Sequence, residues 1–173
     1  MKVLIISDTH GKTSCIRQIK DIVGDIDMLV HLGDVCGDED FIRENFDCEL
    51  HMVAGNNDWH SDLPSDEEFM IGSLHAYITH GHRQYVHYGT EKLEELIKER
   101  GYDIVMFGHT HVRTLKHYGG SYIVNPGSLA LPRDNRTGTY MLLDFDKNGK
   151  PFFAENELPR RKPAGERNGW GLF

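Results

Sequence analysis

Five apolar runs in this chain stop in the same way, and that repeated ending constrains the fold more than any other feature. Val3-Leu4-Ile5-Ile6 runs into Ser7-Asp8-Thr9-His10-Gly11. The run from Asp27 to Leu32 meets Gly33-Asp34. Leu50 to Ala54 meets Gly55-Asn56-Asn57-Asp58, Leu74 to Thr79 meets His80-Gly81-His82, and Asp103 to Phe107 meets Gly108-His109-Thr110-His111. Short apolar runs bounded by turn residues read as buried strands. Neighbouring strands lie roughly 4.8 Å apart, so side chains from three or four strand ends can meet round one small site. Open α/β sheets bind their ligands at the carboxyl ends of strands. One Asp-x-His ending arises easily by chance; five ligand-bearing endings do not.

Between these runs the sequence alternates. Lys12-Thr13-Ser14 starts a helix on which Cys15, Ile16, Ile19, Ile22 and Val23 recur at helical spacing, with Gly24 as its stop. Asp38 reads as the cap of a short helix from Glu39 to Phe46. Thr90 caps a second amphipathic helix carrying Leu93, Leu96 and Ile97, closed by Gly101. This strand–helix order predicts an α/β fold with partly parallel pairing. Asp62 to Glu68 reads as a polar loop, and Phe69–Ile71 with Leu74–Thr79 as a hairpin. The later chain reads mainly as strands: 112–118, 121–124, 139–145 and 152–155, with Asn125-Pro126-Gly127-Ser128 as a turn cluster. Residues 1–157 are expected to form one domain, followed by a tail, 158–173, whose Trp170, Leu172 and Phe173 could pin it to the body.

The strand ends hold oxygen ligands in Asp8, Asp34 and Asn56 and imidazoles in His10, His80, His109 and His111. Seven ligands are too many for one tetrahedral ion, and two sites sharing a carboxylate fit better. Mixed oxygen and nitrogen donors suit Mn²⁺, Fe²⁺, Zn²⁺ or Ni²⁺ rather than an all-oxygen Ca²⁺ site. Cys15, Cys36 and Cys48 are odd in number and form no C-x-x-C pair, so they read as reduced thiols outside this set.

With 19 basic and 27 acidic residues the formal charge is −8. That balance opposes nonspecific binding to nucleic acid, yet bound divalent ions would reverse the local sign for a phosphate substrate. No apolar run reaches the length of a membrane span, and Met1-Lys2-Val3 enters a strand without a signal-peptide pattern. The expected compartment is the cytoplasm. A homo-oligomer is compatible with the sequence.

The order Asp8-x-His10, Gly33-Asp34, Gly55-Asn56-x-Asp58, His80, Gly108-His109-x-His111 resembles the calcineurin-like metallophosphoesterases. The short length, Thr79-His80-Gly81-His82 and Asn125-Pro126-Gly127-Ser128 resemble their small bacterial and archaeal phosphodiesterase branch. The resemblance runs from the first strand to about Ser128. It implies the metallophosphoesterase fold, a four-layer α/β/β/α sandwich with two mixed β-sheets. It implies one metal on Asp8, His10, Asp34 and His111 and another on Asp34, Asn56, His80 and His109, with Asp34 as the bridge and Mn²⁺ as the leading ion. The implied activity is hydrolysis of small phosphoesters, above all phosphodiesters, in which a metal-bridging hydroxide attacks phosphorus in line.

Many members of the family carry His after the motif Asn, as the group that protonates or stabilises the leaving oxygen; this chain has Asn57. Asn57 can donate a hydrogen bond but no proton near neutral pH. His82 is the candidate replacement, and Asp58 a residue to orient either one. Two other readings stand beside the enzyme: a non-catalytic interaction scaffold of the same fold, as in the retromer subunit, and a mononuclear metal or redox protein. The complete ligand set argues against the scaffold.

The remaining candidates have plainer readings. His31 is expected to be structural and buried, and Cys36 a small buried residue. His51, His75 and His117 are expected in surface or cross-strand roles. His60 and His87 fall in loops near the ligand clusters. Arg133 and the Arg160-Arg161-Lys162 run are expected on solvated surface.

Overall fold

The computed structural model describes residues 1–135 and 137–159. Two five-stranded mixed sheets face each other. The strands are β1 (Val3–Ile6), β2 (Met28–His31), β3 (Glu49–Met52), β4 (Asp66–Ile71), β5 (Leu74–Thr79), β6 (Ile104–Met106), β7 (Arg113–Tyr118), β8 (Ser121–Pro126), β9 (Thr139–Phe145) and β10 (Pro151–Glu157). The helices are α1 (Thr13–Val23), α2 (Glu39–Asn45) and α3 (Glu91–Arg100). The first sheet has the order β10-β9-β1-β2-β3 and the second β4-β5-β6-β8-β7. β1, β2 and β3 run parallel, with Ile6 opposite His31 and His31 opposite Met52. β5, β6 and β8 also run parallel. The hairpin partners β10–β9, β4–β5 and β7–β8 are antiparallel.

Alternation along the strands divides the apolar residues among three layers. Val3, Ile5, Met28 and Val30 of the first sheet pack between the sheets on Ala76, Ile78, Ile104, Met106 and Val124 of the second. The opposite face of the first sheet, including Leu4, Ile6 and Leu29, takes Ile16, Ile19 and Val23 of α1 and Ile42 of α2. The outer face of the second sheet, with Tyr77, Val105 and Ile123, takes Leu93 and Ile97 of α3. The result is the expected α/β/β/α sandwich. Strands buried on both faces account for runs such as Val3–Ile6, in which every residue is buried.

Several local expectations change. Asp66–Glu68 belong to β4 rather than to a loop: Asp66, Glu68 and Met70 face solvent while Glu67, Phe69 and Ile71 turn inward, as an edge strand wet on one face allows. Asp38 and Thr90 precede their helices but make no side-chain cap. Asp38 accepts from the Thr13 hydroxyl instead, and the Thr90 hydroxyl donates to Glu94. β8 extends through Asn125 and Pro126, paired with Thr114 and Arg113. Leu158 packs with the α1 and α2 layer, and its N–H bonds Gly138. Trp170, Leu172, Phe173 and the Arg160-Arg161-Lys162 run lie outside the described residues.

Candidate metal centre

The carboxyl ends of β1, β2, β3, β5 and β6 open on one edge, and the loops there are stitched together by backbone. Asp8, His10 and Gly11 donate their N–H groups to the carbonyls of Gly33, Asp34 and Val35 at 3.0, 2.9 and 3.1 Å. From the second sheet, Gly108 N–H bonds the His80 carbonyl, and the Asn125 amide bonds the Gly108 carbonyl. Ser128 ties the sheets together: its hydroxyl donates to the Asp8 carbonyl at 2.8 Å.

These loops do not simply continue the strands. Asp8, His10, Asp34, Cys36, His109 and His111 all have φ between 48° and 65°. Non-glycine residues visit that left-handed region rarely, with Asp and His over-represented, and such backbone gathers at functional sites. Three loops share one device, a left-handed residue at every second position. Strand spacing gives the right expectation that Asp8 and His10 point to one object, but the backbone reaches it by this turn rather than by an extended run. Cys36 holds the place in its loop that His10 and His111 hold in theirs. It is exposed rather than buried, with Sγ 4.0 Å from His10 Nδ1. Burial, then the carboxylates of Asp58 and Asp34, push its thiol up to about 12, far from the thiolate a metal would take.

The four side chains Asp8, His10, Asp34 and His111 offer ligand atoms that all lie within 4.8 Å of one another. His111 Nδ1 lies 2.6 Å from the Leu131 carbonyl, and His80 Nδ1 lies 2.7 Å from the Leu32 carbonyl. A carbonyl can only accept, so in both rings Nδ1 carries a proton, and in the neutral ring the Nε2 lone pair turns inward. His111 Nε2 then sits 3.1 Å from Asp8 Oδ1 and 3.3 Å from His10 Nε2. His80 Nε2 sits 3.1 Å from Asn56 Oδ1 and 3.6 Å from Asp34 Oδ1. His109 follows its own left-handed turn, with its ring 5.0 Å from that of His80.

This donor set suits divalent ions. Asp8 is fully buried, and its Oδ2 takes hydrogen bonds from the Ser7 hydroxyl and the His109 N–H, whereas Oδ1 has no hydrogen-bond partner. A buried carboxylate oxygen without a donor is costly, and a cation among the converging Nε2 atoms removes that cost. Burial raises the pKa of Asp8, but His111, His80 and Ser7 outweigh it and hold the carboxyl below its usual range. Burial, then His80 and His87, push His109 down to about 4. Asp8 and His109 are thus held in the forms that bind metal, whereas at His111 burial, which lowers the pKa, is outweighed by the Asp8 carboxylate, which raises it.

The three residues expected to assist catalysis occupy different places. Asn57 donates its backbone N–H to Asp34 Oδ1 at 2.8 Å and its side-chain amide to Oδ2 at 2.6 Å. Asp58 accepts the N–H groups of Gly55, Cys36 and Val35 at 2.7, 2.7 and 3.2 Å, which joins the β2 and β3 loops. His82 opens a single 3-10 turn, with its ring 5.5 Å from that of His80 and 6.0 Å from that of His109. Its Nδ1 is buried without a hydrogen-bond partner.

The motif glycines Gly55 and Gly108 have a packing role: a Cβ on Gly55 would strike the Asp34 carboxylate and backbone nitrogen, and one on Gly108 would strike the Ser7 hydroxyl. His87, set aside in a loop, brings its ring to 4.3 Å from His109. His31 is structural and fully buried as expected. His51 stacks on Phe69 across the sheets, and the His117 ring lies tilted 4.5 Å from that of its cross-strand partner Tyr122. Arg133 is exposed, yet its guanidinium lies beside the Thr110 carbonyl at 3.4 Å.

A family model, the calcineurin-like phosphoesterase superfamily domain, matches residues 1–148. The chain belongs to this superfamily. A probable metallophosphoesterase of Bacillus subtilis, YsnB, is 31% identical over 150 residues, covering 86% of each chain. The phosphodiesterase MJ0936 of Methanocaldococcus jannaschii is 33% identical over 146 residues, covering 73% of this chain and 83% of its own. Among solved structures, a "predicted phosphoesterase" from Streptococcus pneumoniae superposes with a TM-score of 0.74 at 25% identity, covering 90% of this chain and 97% of that one. Vps29 of Entamoeba histolytica in complex with Zn²⁺ gives 0.70 at 27% identity, covering 92% and 100%. The superfamily membership and the Asp–His cluster together identify a phosphoesterase-family chain with a candidate metal site.

Proposed function

We propose that the chain hydrolyses phosphodiesters with two divalent transition-metal ions. One is held by Asp8, His10, Asp34 and His111 and the other by Asp34, Asn56, His80 and His109, with Asp34 shared. The observation that carries this reading is the pair of imidazoles, His80 and His111, whose Nδ1 protons are committed to backbone carbonyls so that both Nε2 atoms face buried carboxylates. When bound, such ions supply charge neutralisation at the phosphoryl oxygens and acidify a water. The protein's own groups supply position. Asn57 fixes both oxygens of Asp34 by two N–H donors. Asp58 fixes the loops that carry Asp34 and Asn56. His82 is the group we assign to the leaving oxygen, and Mn²⁺ is the ion we expect to serve best. Among the described residues no helix is long and apolar enough to cross a membrane, and we place the activity in the cytoplasm on a small phosphoester substrate.

The test is a panel of phosphodiesters and monoesters assayed after chelation and reloading with Mn²⁺, Ni²⁺, Fe²⁺ or Zn²⁺. Hydrolysis should return only with metal, diesters should lead, and Asp34→Ala should abolish turnover while the protein stays folded. Near-normal turnover by Asp34→Ala would refute the shared-ligand assignment. The Vps29 likeness favours a second reading, an interaction scaffold that keeps its metal; absence of hydrolysis with every metal and ester would select it.

A further inference from the structure

Beside the metal centre lies a cavity of about 430 Å³, bounded by Cys36, Glu39, Asn57, Asp58, Trp59 and His60. Its size falls within the roughly 300–1,000 Å³ typical of small-molecule sites. Trp59, on its wall, is 84% exposed. A bare indole forgoes the burial that usually recruits Trp into a structure, so its face is open to a ligand.

The turn that bears Trp59 is held from both sides. Asp58, just before it, is fixed by three N–H donors from the β2 and β3 loops, and Ser61 N–H bonds the Asp58 carbonyl at 3.3 Å. Asn57, two residues before Trp59, is the residue that grips Asp34. Two residues of chain span at most about 7 Å, so the Trp59 backbone lies that close to the backbone of Asn57, and the two residues line one cavity. Its neighbours have a chemistry as well. Glu39 offers a carboxylate that accepts N–H groups and repels a second phosphate, and His60 adds a ring. A purely aliphatic group would leave the Glu39 carboxylate facing it without a donor, whereas a nucleobase has both a face for the indole and N–H edges for the acid.

We infer that this cavity is a base subsite: the substrate is a phosphodiester with at least one nucleoside, whose base stacks on Trp59 while its phosphate lies over Asp34. This rests on the hydrolytic reading above and names the substrate class for it.

Two esters with one leaving group test it, thymidine 5′-(p-nitrophenyl phosphate) and methyl p-nitrophenyl phosphate, on the Mn²⁺-loaded protein. Trp59→Ala should raise KM for the thymidine ester about 10-fold more than for the methyl ester, and Trp59→Phe, which keeps a stacking face, should restore most of that difference. Equal effects on the two esters would overturn the subsite. A second measurement needs no turnover. With Trp170→Phe the only indole left is Trp59, and thymidine monophosphate should quench its fluorescence where ribose 5-phosphate at equal concentration does not. If neither ester is hydrolysed with any metal, the hydrolytic reading falls and quenching alone decides: base-dependent quenching sustains the subsite, and its absence overturns it.

Discussion

Asn57 has both of its N–H groups on Asp34, at 2.8 and 2.6 Å, so the amide that stands where many family members have His is occupied with that carboxylate rather than directed at substrate. A leaving group must find its donor elsewhere. His82 stands beside His80 and His109 with an unpartnered ring nitrogen. Burial, then the charges of His80 and Arg83, hold its pKa down, so at neutral pH it offers a hydrogen bond from a neutral ring. Such a donor matters more as the leaving oxygen becomes more basic. His82→Ala should therefore slow an alkyl phosphodiester about 10-fold more than its p-nitrophenyl counterpart, read as kcat/KM, about the worth of one hydrogen bond. Equal losses on both esters would remove His82 from the leaving-group side. The seven candidate ligands were legible because residue type and place at a strand end both point to metal. The partners that orient them were not. Leu32 and Leu131 act through carbonyls, and Asp58 through backbone N–H groups, and every residue possesses those.

The element that makes the site is the loop after each parallel strand. Periodicity locates these loops, since the buried runs and their polar endings stand out. It does not reveal the left-handed turns at Asp8, His10, Asp34, His109 and His111, because conformation there is set by the ladder from one loop to the next. Nor did it extend β4 back to Asp66, where acidic residues on the wet face of an edge strand resemble a loop. Close packing of loops is the device that converts sheet geometry into ligand geometry, and Gly55 is one of its tight points: a Cβ there meets the Asp34 carboxylate and nitrogen. Overpacking typically costs about 1–3 kcal/mol, and here the displaced atoms belong to Asp34, the ligand we propose that both metals share. Gly55→Ala should lower Tm modestly and weaken metal binding by at least about 10-fold in calorimetric titration. Unchanged metal affinity would mean that the loops can separate without moving Asp34, against the packing described.

Taken whole, the molecule spends buried polar groups at the sheet edge, and its stability should record that. His31, at the end of β2, is fully buried between the first-sheet loops. Its Nδ1 accepts the Gly33 N–H at 3.3 Å, which leaves the Nε2 proton for the Thr9 hydroxyl at 3.1 Å. Protonation of Nδ1 would set two donors against each other, and burial, outweighing the opposing charges of Asp8 and Asp58, drives the pKa from 6.5 down to about 4. The unfolded chain thus binds a proton between pH 6.5 and 4 that the folded chain refuses. Stability from the neutral ring is complete above about 6.5, falls as pH drops through that window and stops falling below about 4. A shift of this size corresponds to roughly 3 kcal/mol. The metal ligands also titrate, so the measurement belongs on chelated protein and on a variant that differs only at this ring. Thermal unfolding of the chelated wild type should lose Tm steeply from pH 6.5 to pH 4, and His31→Gln, whatever its stability at neutral pH, should give a flatter curve across the same interval. Parallel curves would mean that His31 is protonated in the fold and that the Gly33 loop rearranges to accept it.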